Sequence, residues 1–215
     1  MIDTATQYDE EYFERGLQTG KSLYESYHWM PELTIRMAHH LIDYLRLDGD
    51  NRILDFGCAK GYLVRALRLL DINAYGCDAS EYAIANADPN VKTFCKLMPS
   101  PEIPFPFFFD CIITKDVLEH IPEQQLDRFL SHSTHRADRS FHVVPLGGAD
   151  GYVVPAYNKD PTHVICKPKS WWIDKFALHG WRLENFSFEV RGIKENWTSK
   201  YPVGNGFFTL KRIGR

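Results

Sequence analysis

The sequence predicts an α/β fold built on a doubly wound, mostly parallel β-sheet. Short apolar runs alternate with segments of helical periodicity, and one apolar run leads through a glycine-rich turn into a helix. Such alternation is typical of a parallel sheet with helices on both faces. At 215 residues, the chain is long enough for one domain of this kind.

The predicted elements follow one another in a regular order. Five strands are expected near residues 52–56, 73–77, 91–95, 109–114 and 139–144, and two strand-like segments follow at 182–190 and 207–212. Helices are expected near residues 61–70, 80–86, 123–133 and 169–179. Residues 1–50 come before the first strand and contain two helical segments, so we predict a helical N-terminal cap or lid followed by a sheet domain over 51–215.

Aromatic residues are concentrated between the two N-terminal helices, at Tyr24, Tyr27 and Trp29. Such side chains are apolar with a polar atom at one end, and they suit two roles equally well. They could pack the first helices onto the sheet, or they could form a lid over a ligand pocket.

The segment from Arg52 to Gly61 is the most informative motif. A buried strand ends at Asp55, and Gly57 and Gly61 then form a tight turn before a helix. A turn of this kind needs residues without a Cβ, and a ligand can approach its bare backbone. The helix start that follows offers free N–H groups and a partial positive charge.

A second acid, Asp78, lies at the end of the next apolar run, about 20 residues further on, where α/β folds place a ribose-binding carboxylate. A helix N-cap is the alternative role for Asp78. Dinucleotide folds use Gly-x-Gly-x-x-Gly, whereas this chain has Asp55-x-Gly57-x-Ala59-x-Gly61. An acid in the turn would repel a pyrophosphate and would suit a cationic ligand, which disfavours a nicotinamide-dependent oxidoreductase.

With two later segments, this pattern resembles the class I S-adenosylmethionine-dependent methyltransferases of type 11 or 12, whose first motif is an acid followed by Gly-x-Gly-x-Gly. Pro104-Phe-Pro-Phe-Phe-Phe-Asp110 resembles the family's approach to its fourth strand. Lys115-Asp-Val-Leu-Glu-His-Ile-Pro122 resembles the segment that follows this strand. The resemblance implies a Rossmann-like, seven-stranded sheet with an antiparallel C-terminal strand. It also implies S-adenosylmethionine as cofactor and S-adenosylhomocysteine as product.

Open α/β sheets bind ligands at the carboxyl ends of their strands. In the family, Asp55 would orient the methionine ammonium group, Asp78 would bind the ribose, and residues after the third and fourth strands would line the rest of the site. The expected cofactor-binding residues are Asp55, Gly57, Cys58, Ala59, Gly61, Asp78, Ala79, Ser80, Leu97, Met98, Thr114, Lys115 and Asp116.

Methyl transfer from a sulfonium depends mainly on alignment of the reacting atoms, and a hydroxyl or amine acceptor can also need a general base. His163 and His120 are the candidate catalytic residues, although each also fits a hydrogen-bonded structural role. The five cysteines match no zinc-binding pattern, and we expect no metal ligands.

The expected acceptor is a small molecule methylated on oxygen or nitrogen, such as a sugar or another hydroxylated metabolite. A non-catalytic cofactor-binding partner protein is the alternative, and a nucleic-acid or protein methyltransferase is less favoured because the net charge is −3. An odd number of cysteines and an acidic, polar N-terminus favour a cytoplasmic protein without a signal peptide. No apolar run approaches the ~20 residues that span a bilayer. The oligomeric state is left open.

Overall fold

The computed structural model describes residues 7–214, which form a seven-stranded sheet with helices on both faces. The strands are β1 Arg52–Phe56, β2 Asn73–Asp78, β3 Cys95–Leu97, β4 Phe109–Lys115, β5 Ala137–Pro145, the short hairpin β6 Gly147–Gly148 and β7 Gly151–Tyr152, β8 Trp181–Ser187 and β9 Asn205–Arg212. The α-helices are α1 Glu10–Glu14, α2 Gly16–Thr19, α3 Pro31–Leu45, α4 Tyr62–Leu69, α5 Glu81–Ala85, α6 Glu123–Ser133, α7 Lys169–Leu178 and α8 Glu195–Lys200. Among these described helices, none combines the length and apolar character needed to cross a membrane.

The strand order in the sheet is β3-β2-β1-β4-β5-β9-β8. Strands β1 to β5 are parallel, and β9 runs antiparallel to both of its neighbours, β5 and β8. The predicted doubly wound sheet with an antiparallel C-terminal strand is therefore confirmed. The chain leaves β1 towards β2 on one side and later returns to β4 on the other. The crevice between the carboxyl ends of β1 and β4 is where such sheets bind ligands.

The two faces of the sheet bury two separate apolar cores, as alternating side-chain direction along a strand requires. On β1, Ile53 belongs to the core that contains Leu41 of α3 and Val64 of α4. The next residue, Leu54, belongs to the opposite core, which includes Trp172 of α7. Both Ile53 and Leu54 are completely buried, so β1 is fixed in register from both sides.

Several predicted boundaries were wrong. The third strand was expected at 91–95, but residues 92–94 form a 3₁₀ turn and β3 begins only at Cys95. Apolar Val91 and Phe94 are three residues apart, a spacing that eclipses side chains in a 3₁₀ helix. Strand β8 ends at Ser187 instead of 190, and neither helix α8 nor the β6–β7 hairpin was predicted. Residues 1–6 of the predicted N-terminal cap lie outside the described residues.

The N-terminal segment is attached to the sheet by buried polar contacts. Lys60, only 8% exposed, forms an ion pair with Glu14 and donates to the Tyr27 carbonyl oxygen at 2.9 Å. The Ser80 hydroxyl donates to the Tyr8 carbonyl oxygen. Both anchors lie just beyond the ends of β1 and β2. The segment is therefore held over the carboxyl edge of the sheet.

Gly57 offers a direct test of the turn after β1. Its φ is +82°, and a Cβ there would lie 2.4 Å from Val117 Cγ2. Gly20 has a similar φ of +72°, but a Cβ would meet no atom within 4 Å. In both alanine variants, the free energy of unfolding should fall by about 1–2 kcal/mol because of left-handed backbone strain. In Gly57→Ala, the free energy of unfolding should fall by a further ~1–3 kcal/mol because the added methyl group would overlap the Val117 side chain.

Urea unfolding of the two variants measures the difference between these losses. Gly20→Ala is the matched control, since it shares the backbone conformation and lacks the steric conflict. Equal losses of stability would show that Val117 does not constrain the turn.

Candidate active site

The turn after β1 is built from three residues with left-handed backbone conformation: Gly57, Ala59 at φ +48° and Gly61 at φ +76°. Ala59 takes the place of a glycine in the family pattern and adopts the conformation that a glycine favours. The N–H groups of Gly57 and Cys58 both donate to the Cys77 carbonyl oxygen, at 2.8 and 3.1 Å. The turn is therefore bound to the end of β2.

Asp78 holds this turn through its side chain. Its Oδ2 accepts from Ala59 N at 2.7 Å, and its Oδ1 accepts from Ser80 N at 2.8 Å. Each carboxylate oxygen keeps a second lone pair for a ligand. Burial raises the pKa of Asp78, while these backbone donors oppose the rise. The N-cap of helix α5 is Ser80, whose Oγ accepts from Ala83 N at 2.9 Å, so Asp78 is not needed for that role.

A cavity of about 280 Å³ lies between the carboxyl edge of the sheet and the N-terminal segment. Seven of the predicted site residues line it: Gly57, Ala59, Asp78, Ala79, Met98, Asp116 and His120. The structure therefore brings residues from the ends of β1, β2, β3 and β4 to one space. Eight other predicted site residues are not in the cavity wall, namely Asp55, Cys58, Gly61, Ser80, Leu97, Thr114, Lys115 and His163.

Some of these eight residues are used elsewhere in the fold. Thr114 Oγ1 is hydrogen-bonded to His142 Nδ1 at 2.9 Å, inside the sheet. Lys115 Nζ donates to Asp116 Oδ2 at 2.7 Å. The Cys58 side chain packs against Gly76, where an added Cβ would lie 2.7 Å from its Sγ. These side chains therefore support the site from below its surface.

Part of the cavity wall was not predicted from the sequence. Tyr8, Tyr12 and Phe13 line the cavity from the N-terminal segment, and Gln125 and Arg128 line it from helix α6. The aromatic character of the N-terminal segment was a signal, but the segment highlighted was 24–29, of which Tyr24 alone lines the cavity. Tyr8 and Tyr12 pack edge to face, with ring centroids 5.0 Å apart.

Asp55 is a buried carboxylate beneath the turn. Burial, with a smaller contribution from nearby Asp78, raises its pKa to about 7 against the opposing effect of Lys115. An acid in such surroundings becomes fully ionised when a cation comes close to it. Its surroundings are therefore suited to a ligand with a positively charged group.

A second group of charges lies at the end of β4. Burial acts to raise the pKa of Asp116, but Lys115 and Lys194 outweigh it and hold that pKa well below the usual range. Lys194 forms an ion pair with Asp116 and donates to Asn205 Oδ1 at 2.9 Å. Glu119 is 1% exposed, and burial together with the charge of Asp116 raises its pKa to about 8.

His120 and His163, the two predicted catalytic residues, lie side by side with ring centroids 4.6 Å apart. His120 lines the cavity and His163 lies next to it, outside the cavity wall. His120 Nδ1 is 2.8 Å from Thr162 Oγ1, and His163 Nδ1 is 2.9 Å from the Tyr157 carbonyl oxygen. Burial, with a smaller contribution from the neighbouring His163, lowers the pKa of His120 to about 4.

Comparison with known proteins agrees with this architecture. A family model described as a methyltransferase domain matches residues 28–136, just over half of the chain. No curated protein matches the chain.

Solved structures of similar fold include three methyltransferases. An S-adenosylmethionine-dependent methyltransferase from Clostridium acetobutylicum ATCC 824 superposes with a TM-score of 0.61 at 9% identity, covering 83% of this chain and 92% of that one. Magnesium protoporphyrin IX methyltransferase from Synechocystis PCC 6803 with bound S-adenosylhomocysteine superposes with a TM-score of 0.63 at 15% identity, covering 96% of this chain and 99% of that one. Mitomycin 7-O-methyltransferase MmcR superposes with a TM-score of 0.59 at 14% identity, covering 84% of this chain and 54% of that one.

At 9–15% identity, these likenesses show the fold. The family match rests on the sequence itself and includes the glycine turn, Asp78 and the segment from Lys115 to Pro122. This chain belongs to the methyltransferase domain family and is a class I S-adenosylmethionine-dependent methyltransferase.

Proposed function

We propose that this enzyme transfers a methyl group from S-adenosylmethionine to a small molecule, with a hydroxyl oxygen as the favoured acceptor atom and an amine nitrogen as the alternative. The observation that carries this proposal is the cavity of about 280 Å³ that joins Asp78, Asp116 and His120 in one space. Its volume is close to the lower end of the range for small-ligand pockets.

The residues on the sheet side of the cavity fit the cofactor. Asp78 has free lone pairs suited to the two ribose hydroxyls, and Gly57 and Ala59 of the turn line the cavity with it. Ala79 and Met98 supply apolar surface for an adenine ring. Asp55 would attract the ammonium group from below the turn. When bound, S-adenosylmethionine supplies a methyl group that its sulfonium has already activated.

The residues on the opposite side suit a small acceptor. Tyr8, Tyr12 and Tyr24 enclose the space with aromatic surface, and His120 adds a polar atom. Because His120 uses Nδ1 in a hydrogen bond with Thr162, its Nε2 atom remains to accept a hydrogen bond from an acceptor hydroxyl. Holding that hydroxyl in line is the main contribution these residues can make.

The N-terminal segment covers this cavity, and we include its opening in the proposal as the route by which ligands enter. Its anchors are the Lys60–Glu14 ion pair and the Ser80–Tyr8 hydrogen bond. Amide hydrogen exchange over residues 8–30 should slow when S-adenosylhomocysteine is added. Identical exchange with and without ligand would mean that the segment is permanently packed.

Two solved neighbours support a small acceptor. One is named for magnesium protoporphyrin IX and another for mitomycin, which are both small molecules. The net charge of −3 also disfavours a nucleic-acid substrate, because such partners are bound largely through positive charge.

The cofactor assignment predicts specific binding constants. S-adenosylhomocysteine should bind and NAD should not bind comparably, because Asp55 would repel a pyrophosphate. Asp78→Ala should weaken S-adenosylhomocysteine binding by about 1.5–3 kcal/mol, the usual range for hydrogen bonds to a charged group. Titration calorimetry measures the affinity of the wild-type enzyme for each ligand and the affinity of the Asp78→Ala variant for S-adenosylhomocysteine.

Asp88→Ala is the matched control for this variant. Asp88 is also buried and also organises a turn, through Arg65 and Asn90, but it is not in the cavity wall. The Asp88→Ala variant should be less stable than the wild type but should bind S-adenosylhomocysteine with the same affinity. If a folded Asp78→Ala variant bound normally, the ribose would have to be held by other residues.

Asp55 makes binding and stability depend on pH in opposite directions. The pKa of Asp55 is about 7 in the folded protein, against 3.8 for an unperturbed aspartate. The contribution of Asp55 to folding stability is therefore fully present below pH ~4 and is lost as pH rises through about 7. Asp55→Asn should therefore raise the melting temperature more at a pH of about 8.5 than at about 5.5. The groups that influence Asp55 most are Asp78 and Lys115.

The same ionisation should strengthen binding of an ammonium group. Affinity for S-adenosylhomocysteine should rise between a pH of about 6 and about 8 in the wild-type enzyme and stay nearly flat in Asp55→Asn. Parallel pH profiles for the two proteins would remove Asp55 from the site.

Methyl transfer itself is tested by measuring S-adenosylhomocysteine formed with a panel of hydroxylated and amino-containing small molecules, with RNA and protein substrates in parallel. A small hydroxylated acceptor should give turnover. His120→Ala should lower that turnover about 10²-fold while leaving cofactor affinity unchanged, because the acceptor would lose its alignment. Turnover with RNA or protein alone would refute the small-molecule proposal. Tight cofactor binding without any turnover would favour a non-catalytic partner protein.

A further inference from the structure

We propose that Glu119, His120 and His163 form a binding site for a divalent transition-metal ion beside the cavity. Each residue offers one ligand atom, and the three atoms lie within 4.8 Å of one another. The proposal concerns ion binding alone and does not depend on which molecule accepts the methyl group.

Hydrogen bonds fix both imidazoles in the tautomer that a metal requires. His163 Nδ1 faces the Tyr157 carbonyl oxygen at 2.9 Å, and a carbonyl can only accept, so Nδ1 carries the proton. His120 Nδ1 faces Thr162 Oγ1 at 2.8 Å, and this hydroxyl gives its own hydrogen to Asp160 Oδ1 at 2.6 Å. His120 Nδ1 is therefore also the donor. Both rings keep a free lone pair on Nε2, as metal-binding histidines do.

Glu119 contributes a carboxylate with one unpaired oxygen. The side chain is 1% exposed, and within residues 7–214 no hydrogen-bond donor reaches its buried Oε2. Leaving such an oxygen unpaired in the interior costs free energy, and a bound cation would remove that cost. This unpaired oxygen points to a ligand independently of the two histidines.

The backbone brings the three residues together. The 3₁₀ turn Leu118–His120 supplies Glu119 and His120 after β4. Val164 N and Ile165 N both donate to the Glu119 carbonyl oxygen, at 2.8 and 3.0 Å. The loop that carries His163 is therefore hydrogen-bonded directly to the turn that carries the other two ligands.

The local charge also permits a cation. Lys115 and Lys194 both pair with Asp116, which leaves neither bonded to Glu119 among the described residues. Asp160 adds another carboxylate beside the site, because it accepts from the Thr162 hydroxyl that is bonded to His120 Nδ1. A divalent ion would therefore be balanced in part by the surrounding carboxylates.

The donor set selects the type of ion. Two imidazole nitrogens with one carboxylate suit Zn²⁺, Co²⁺, Mn²⁺ or Fe²⁺, whereas Mg²⁺ and Ca²⁺ prefer oxygen ligands alone. Bond lengths of about 2.0–2.2 Å place tetrahedral donor atoms about 3.3–3.6 Å apart, so the ligands would move together by up to about an ångström. Three protein ligands leave a coordination position free, and His120 already lines the cavity.

Cobalt provides the test, because coordinated Co²⁺ absorbs visible light. Metal-free full-length protein is titrated with CoCl₂ while the d–d bands are recorded. A second group of ligand-type residues, His39, His40 and Asp43, lies on the surface, so every protein tested carries His39→Ala. We expect one tight equivalent of Co²⁺ in this background. Adding His163→Ala or Glu119→Gln should weaken Co²⁺ binding by at least ~10-fold, the lower end of the effect expected even for residues that only support a metal site.

Circular dichroism and S-adenosylhomocysteine binding monitor the fold in each variant. Normal cofactor affinity with lost Co²⁺ binding would support the metal site, and it would do so whatever the outcome for methyl transfer. Unchanged Co²⁺ binding in both variants would overturn the proposal. If neither variant folds, X-ray absorption of Co²⁺ bound in the His39→Ala background decides, since two imidazole nitrogens are expected and an all-oxygen shell would refute the site.

Discussion

The carboxylate of Asp78 is the interaction on which the site depends. It binds Ala59 N of the glycine turn and Ser80 N at the start of helix α5, and Ser80 in turn binds the Tyr8 carbonyl oxygen. One side chain at the end of β2 thus orders the loop after β1, the next helix and, indirectly, the N-terminal segment. Because both carboxylate oxygens are already aligned by backbone donors, a ligand meets a group whose orientation is set in advance.

The central fold could be predicted because its signals are local. The strands β1 and β2 have apolar runs that end at an acid, and glycines mark the turn after β1. Helix α6 has the predicted bounds because its helical pattern follows directly on a proline. The third strand was misplaced because Val91, Thr93 and Phe94 are residue types favoured in strands, yet Lys92–Phe94 forms a 3₁₀ turn. Propensity alone does not separate these conformations over so few residues.

The composition of the site was less predictable because it depends on contacts between distant segments. The family pattern indicated Thr114, but its hydroxyl is bonded to His142 on the neighbouring strand β5. His120 and His163 were each recognised as chemically suitable, yet nothing in the sequence indicates that their rings meet. Their pairing requires the loop after β5 to return to the end of β4, which the backbone hydrogen bonds to the Glu119 carbonyl oxygen bring about.

The central position of β9 has a consequence for how the chain is made. Strand β9 comes last in chain order but lies between β5 and β8, and β8 pairs with no other strand in the described sheet. During synthesis, β8 therefore leaves the ribosome before its partner β9, and the edge of β5 stays open until β9 follows. A nascent chain can assemble β1 to β5 early, but its last sheet contacts form only after nearly all of these residues have been translated.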